Sequence, residues 1–271
     1  MIHALDHLLL ITTDLAAASA KLATLLASVP AREGTTAGMP SLAFPLANTT
    51  ILLATPAPDN PLGLAGAPAD GSVAQAAAAF AVADLDAARA LLPRRGLPCG
   101  NPLPWTAEDG TTTRALVLDR AATDGIALLL VERPPAPIRP GPRPAIGIDH
   151  VVIRTHNPDR ALALFGARLG LDLRLDRTNY GTRFLFFRCG DLVVEVVQPS
   201  GEAASAEPAS FNGLAWRSPT LAADHARLSA AGVPVSELRT GRKPGTQLFT
   251  VRENAALVPS IFIELERKAA G

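Results

Sequence analysis

The sequence has only two cysteines, Cys99 and Cys189, and they form no CxxC pair. That excludes a disulfide framework and makes a reducing cytoplasm the expected home. It also lacks a charge bias, with 25 basic and 25 acidic residues. Nothing electrostatic therefore points to nucleic acid or to an anionic membrane surface as partner. The opening residues lack a basic leader and read as a strand, so no secretory signal is expected. Uninterrupted apolar runs are missing too. The Ala-rich "VAQAAAAFAVADLDAARALL" is broken by Gln75, Asp84, Asp86 and Arg89, which excludes a membrane span there. Lys, Tyr and Met are scarce while Ala, Arg and Pro abound, a pattern read as the base bias of a GC-rich bacterial genome. What remains is 48% hydrophobic and 18% charged over 271 residues, a globular composition with room for two domains.

What is present is repetition. Four times an apolar run leads through a polar turn into an Ala/Leu helix: "LDHLLLITTDLAAASAKLATLL", "AAAAFAVADLDAARALLPRRG", "IDHVVIRTHNPDRALALFGARLG" and "NGLAWRSPTLAADHARLSAAG". Asp14, Asp84, Asn157 and Thr220 stand where a side-chain oxygen caps a helix. Gly96, Gly170 and Gly232 stand where a left-handed residue ends one. β-type runs follow each helix, as in "LDLRLDR", "TRFLFFRCG" and "DLVVEVVQP". Each module reads β-α-β-β-β, so the fold class is α+β, with modules paired into two open, cupped barrels. "RPPAPIRPGPRPAIG" suits an extended linker because its six prolines prevent a helix or a central strand. The expected divisions are an N-terminal domain over 1–135, a linker over 136–145 and a C-terminal domain over 146–271.

With "DHVVI" opening one module and "VVEVV" and "FIELE" closing two, the sequence resembles the vicinal oxygen chelate superfamily. That superfamily takes in glyoxalase I, extradiol dioxygenases, methylmalonyl-CoA epimerase and the fosfomycin and bleomycin resistance proteins. The resemblance implies paired modules forming a cup. It also implies metal ligands on the first strand, usually His, and on the last strand, usually Glu, with the metal gripping two adjacent substrate oxygens.

The two halves differ at those slots. His150 plus 45 residues is Glu195, and His7 plus 45 is Leu52, with Pro199 matching Pro56. Aligning "FIELER" with "LLLVER" sets Glu264 against Leu130, and the first-strand slots fall at Gly213 and Ala76. The first half then offers one donor, His7, and reads as a degenerate copy. The second offers His150, Glu195 and Glu264, a nitrogen and oxygen set suited to Fe, Mn, Ni, Co or Zn. Gly213 breaks the His/His/Glu set of extradiol dioxygenases. Glu195 and Glu264 are the catalytic candidates, either of them a general base beside the metal.

Strand parity adds Arg154 on the face of His150 and Arg217 on that of Gly213, against Ile11 and Phe80 in the first half. Two guanidiniums suit a substrate carboxylate. Arg242 and Lys243, in the basic turn "RTGRKPGTQ", and Tyr180, the only tyrosine, are further candidates at the mouth. Each residue also has a bland reading. His7 is a structural residue, His150 opens a strand, Glu195 faces solvent, and the two arginines form surface ion pairs. The basic turn is no phosphate-binding loop, because the Gly spacing and following helix are missing. Cys189 is a buried thiol, and His156 and His225 belong to a turn and a helix surface.

The leading expectation is a metal-dependent lyase or isomerase acting on a small anionic substrate with vicinal oxygens. The alternatives are a metal-free, resistance-type binding protein and an extradiol-type dioxygenase. The expected partner is a small molecule, with a homodimer as the assembly to look for. Pairing of module one with four and two with three, instead of one with two, would send Glu264 to a different cup from His150.

Overall fold

The computed structural model describes residues 1–64, 75–106, 111–134, 146–201, 204–253 and 255–265. The linker expected over 136–145 lies outside the described residues, as do Glu266 and Arg267. Module one comprises β1 (Ile2–Ile11), α1 (Leu15–Leu26), β2 (Arg32–Thr36), β3 (Met39–Pro45) and β4 (Thr50–Ala54). Module two comprises β5 (Gln75–Val82), α2 (Leu85–Leu91), β6 (Leu103–Thr106), β7 (Thr112–Val117) and β8 (Ala127–Glu132). Module three comprises β9 (Gly147–Arg154), α3 (Pro158–Ala161), β10 (Asp172–Asn179), β11 (Thr182–Cys189) and β12 (Leu192–Gln198). Its helix continues as a π-helical stretch, Leu162–Arg168. Module four comprises β13 (Ser210–Arg217), α4 (Leu221–Ala230), β14 (Arg239–Thr240), β15 (Thr246–Val251) and β16 (Ser260–Leu265). No helix among the described residues is long and apolar enough to cross a membrane.

Modules one and two share one eight-stranded sheet, ordered β2-β3-β4-β1-β5-β8-β7-β6. Modules three and four share the other, ordered β10-β11-β12-β9-β13-β16-β15-β14. Pairing is therefore one with two and three with four. In both sheets the first strand of a module runs parallel to its last strand and antiparallel to the first strand of the next module. The helix supplies the crossover that a parallel pair needs. Asp14, Asp84 and Asn157 accept from the N–H three residues on, as capping side chains do. Thr220 makes no such bond.

Alternate residues of every strand point to one of two faces. One face of each sheet carries the helices, and these faces merge in a single core that runs through both halves. Leu8 and Leu10 of β1, Leu22 of α1, Val151 and Ile153 of β9, Phe165, Trp216 and Phe262 all belong to it. Polar pairing seals the halves. Asn48 donates to the carbonyl of Ile148 at 2.8 Å and accepts from its N–H at 2.9 Å. Gly147 is needed there, because a Cβ would come within 2.8 Å of the Asn48 Oδ1.

The opposite faces differ. In the first half Leu9, Ile11, Met39, Leu52, Leu62, Leu64, Trp105 and Leu129 fill the concave face as a second, separate core. The matching face of the second half carries half-buried residues, among them Val152, Phe184, Phe186, Val193 and Val197. One cup is packed with its own side chains, and the other, among the described residues, is not.

Candidate functional site

The open cup has His150 and Glu195 at its centre. Both lie on neighbouring parallel strands, with Val193 beside His150 and Glu195 beside Val152. Their side chains meet, His150 Nε2 to Glu195 Oε2 at 3.1 Å. The other ring nitrogen, Nδ1, sits 3.0 Å from Asp149 Oδ2. Asp149, His150 and Glu195 thus form a carboxylate–imidazole–carboxylate row. Burial would raise the Asp149 carboxyl, but the bond and charge of His150, with Arg217 and Lys243 nearby, hold it below the usual range. Glu195 goes the other way. Burial pushes it above the usual range, although His150, Arg177 and Arg242 pull it back.

The first half repeats the row with one member missing. His7 Nδ1 contacts Asp6 Oδ2 at 2.7 Å, and Asp6 is also paired with Arg133 at 3.0 Å. Leu52 stands where Glu195 would, and His7 Nε2 is buried without a hydrogen-bond partner among the described residues. The indole of Trp105 stacks over the imidazole at 5.3 Å between centroids. The Asp-His dipeptide therefore has one role in both halves. The aspartate fixes the imidazole so that Nε2 aims into the cup.

Glu264 is not part of the site. It was expected among the ligands, but parity puts it on the helix face with Phe262, while Ile261 and Ile263 face the cup. Its Oε2 accepts from the Leu221 N–H at 3.1 Å, at the start of α4. The true counterpart is Glu132, which accepts from the Leu85 N–H at 3.2 Å at the start of α2. The spacing misled because Ala77 and Glu132 are 55 residues apart, whereas Gly213 and Glu264 are 51 apart. The same register corrects two more matches. Gly213 corresponds to Ala77, not Ala76, and Arg217 to Ala81, not Phe80, because Ala77 pairs with Leu9 as Gly213 does with Val152.

The remaining candidates divide. Arg154 lies on the cup face, half-buried. Arg217 is engaged by the Asp191 carbonyl at 2.6 Å and carboxylate at 3.2 Å, with Asp149 at 3.5 Å. Its guanidinium, expected to clamp a substrate, is thus taken up by Asp191 and lies beside Asp149. Arg242 and Lys243 are exposed, and their charges reach Glu195 and Asp149 respectively. Tyr180 is 89% exposed in a left-handed turn between β10 and β11, pointing to solvent and not lining the mouth. Cys189 is buried, its thiol pushed up to about 12 by burial, and is inert. His156 pairs with Glu207, and His225 bonds the Ser236 carbonyl.

Sequence reasoning missed Asp149, Arg177, Phe184 and Phe186. The repeated Asp-His dipeptide signalled the first. The others follow from parity once β11 pairs with β12, because Phe186 lies opposite Glu195 and Arg177 opposite Phe184. The Arg177 guanidinium sits 5.9 Å from the Phe186 ring centre. A cleft of about 200 Å³ opens elsewhere, between the halves beside Arg120, Phe211 and Asn212, and none of the row lines it.

Residues 149–249 match the family model described as Glyoxalase/Bleomycin resistance protein/Dioxygenase superfamily. The second half is a domain of that superfamily. No curated protein sequence matches the chain. Among solved structures, a triple mutant of 4-hydroxymandelate synthase from Streptomyces coelicolor is 15% identical, with a TM-score of 0.73 over 100% of this chain and 94% of that one. The Mn(II)-bound glyoxalase from Novosphingobium aromaticivorans is 14% identical, with a TM-score of 0.67 over 97% and 82% of the chains. The 2,2',3-trihydroxybiphenyl 1,2-dioxygenase from Sphingomonas wittichii strain RW1 is 15% identical, with a TM-score of 0.65 over 97% and 91%. These neighbours are enzymes, and identities this low establish a shared two-domain fold.

The superfamily domain can be tested for a resident metal on its donors. A catalytic divalent ion takes three protein ligands as a rule. His150 and Glu195 supply two, both from module three. Module four presents Gly213, Ala215, Ile261 and Ile263 to the cup. No cluster of three His, Cys, Asp or Glu suited to a metal occurs among the described residues. The donor set of the described residues does not fit a tightly held resident ion.

Proposed function

We propose that the second-half cup binds a small anionic molecule and moves a proton on it, as a lyase or isomerase that needs no resident metal. The observation that carries this reading is the 3.1 Å contact between His150 Nε2 and Glu195 Oε2, backed by Asp149 on Nδ1. Asp149 accepting from Nδ1–H would leave Nε2 and Oε2 to share one proton, which the pair could exchange with a substrate. Burial lifts the Glu195 carboxyl toward the pH at which acid–base catalysts work best. The substrate would lose a proton from carbon beside a carbonyl or carboxylate and regain it at the same or a neighbouring atom. The negative charge that develops would meet Arg154, Arg177 and Arg242. Arg217 and Asp149 would position the imidazole without touching substrate.

A panel of simple compounds tests this without the natural substrate. Small carboxylates with an acidic C–H are incubated with the protein in D2O, and the loss of the C–H proton signal is followed by NMR. Exchange is expected for at least one class, unchanged by EDTA and reduced about 10²–10⁴-fold in Glu195→Gln and His150→Gln. Exchange that persists in both variants, or that EDTA abolishes, would overturn the reading. A metal-free binding protein is the second reading, favoured by the donorless module-four slots. It predicts saturable binding with no exchange in the same experiment.

A further inference from the structure

The repeat makes the filled cup a guide to what the open one receives. Trp105 faces Thr113 across the β6–β7 ladder, two residues beyond the Leu103–Ala115 pair. In module four the same ladder pairs Arg239 with Leu248 and Thr240 with Gln247, and the Gly241 N–H reaches the Thr246 carbonyl at 2.8 Å. The two ladders hang from equivalent strands. Ala115 pairs with Val131, whose β5 neighbour Ala81 corresponds to Arg217, and Leu248 pairs with Ile263, the β16 neighbour of Arg217. Gly241 therefore stands where Trp105 stands. It has no side chain to offer, and a Cβ there would run into the Thr246 hydroxyl.

The consequence lies over the histidine. In the first half a flat indole covers His7, nearly parallel to it at 18°. In the second half no aromatic ring among the described residues stacks on His150. The wall beside it has instead gained rings, because Phe186 occupies the position of Ala43, each facing its module's Glu195 or Leu52 slot. Phe184 and Phe186 lie 6.2 Å apart and half-exposed, so they line the space without filling it. Arg177 borders Phe186, and Arg242 follows Gly241 directly.

We infer that the open cup takes a planar aromatic carboxylate, its ring lying over His150 in the place that the Trp105 indole occupies over His7 and its carboxylate meeting Arg177 and Arg242. This rests on the proposed function for the site, and it names the class of ligand. Flat rings gain from stacking beyond the area they bury, whereas a puckered ring of similar size gains only the burial.

The probes are indole-3-carboxylate and cyclohexanecarboxylate, titrated into the full chain while the imidazole signals are followed by NMR. Indole-3-carboxylate is expected to bind about three- to tenfold more tightly and to shift the His150 ring protons upfield. His7, already covered, is the internal control and stays in place. Glu195→Leu, which copies the Leu52 of the first half, should keep the preference for the aromatic probe while losing C–H exchange. A failed exchange assay with intact aromatic preference would then sink only the proton-transfer reading. Equal affinity for the two probes in the wild-type protein, or tight binding of the indole that leaves His150 unmoved, would overturn the inference.

Discussion

A buried carboxyl beside a histidine is costly to a fold, and Glu195 shows the cost in its raised pKa. Its folded value lies above its unfolded value, so folding favours the protonated form. That contribution to stability is fully present below the ordinary glutamate range, about 4.3. It is lost as pH rises through the higher folded value. Glu195→Gln keeps the shape and a hydrogen-bonding group but has no charge to bury. It should therefore melt at a higher temperature than the wild type near pH 8, with the gap closing toward pH 4, as thermal scans across pH would show. A gap that widens on acidification would mean that Glu195 is stabilised as a carboxylate by its cationic neighbours. Asp149 behaves in the opposite sense, with its carboxyl lowered and its contribution lost only in acid. The histidine and this glutamate were legible from the 45-residue spacing shared with His7 and Leu52. Asp149 was visible in the dipeptide too, but its grip on Nδ1 became evident only from the side-chain geometry.

At the scale of the element, the last strands of modules two and four end in a carboxylate that caps the next layer. Glu132 and Glu264 accept from the first-turn N–H groups of α2 and α4. Thr220 makes no side-chain cap bond, so Glu264 does for α4 what Asp84 and Glu132 share for α2. Glu264→Ala should cost about 0.5–2 kcal/mol of stability, the usual effect of a lost cap. It should leave ligand binding and C–H exchange in the cup unchanged. Denaturant melts together with the D2O assay would check both halves of that statement. A loss of exchange in a folded Glu264→Ala protein would return Glu264 to the site. The helices and strands themselves were readable from caps and period-two runs. The face on which Glu264 points was not. It depends on how β16 registers against β13, and a loop shorter by a few residues shifts that register without leaving a mark in the local pattern.

Across the whole molecule, duplication has been resolved into one half whose concave face is packed and one whose concave face is only half-buried. The concave face of the first sheet is a hydrophobic core in its own right, with Trp105 fully buried. Trp105→Ala should therefore destabilise the protein by about 3–5 kcal/mol. Phe186→Ala, in the open cup, should cost about 1 kcal/mol and weaken the aromatic probe. Urea unfolding followed by fluorescence and by circular dichroism would compare the two. Similar losses for both would mean that the second cup is also packed shut. Because the helix-side core is continuous through both halves, each variant should unfold in one transition seen alike by both probes.

The sequence by itself determined the β-α-β-β-β modules, their repetition, three of the helix caps and the alliance of His150 with Glu195. These rest on local signals: alternation along one strand, a capping side chain, a constant spacing between duplicated parts. Only the tertiary structure decided that Glu264 turns away, that Arg217 is taken up by Asp191 beside Asp149, and that one cup is filled while the other, among the described residues, is not. Those outcomes depend on register between strands far apart in the chain. Two residues with identical local patterns, such as Leu130 and Glu264, separate when bulges and loop lengths set the ladders differently. The contrast between Trp105 and Gly241 over their histidines exists only once each sheet has closed.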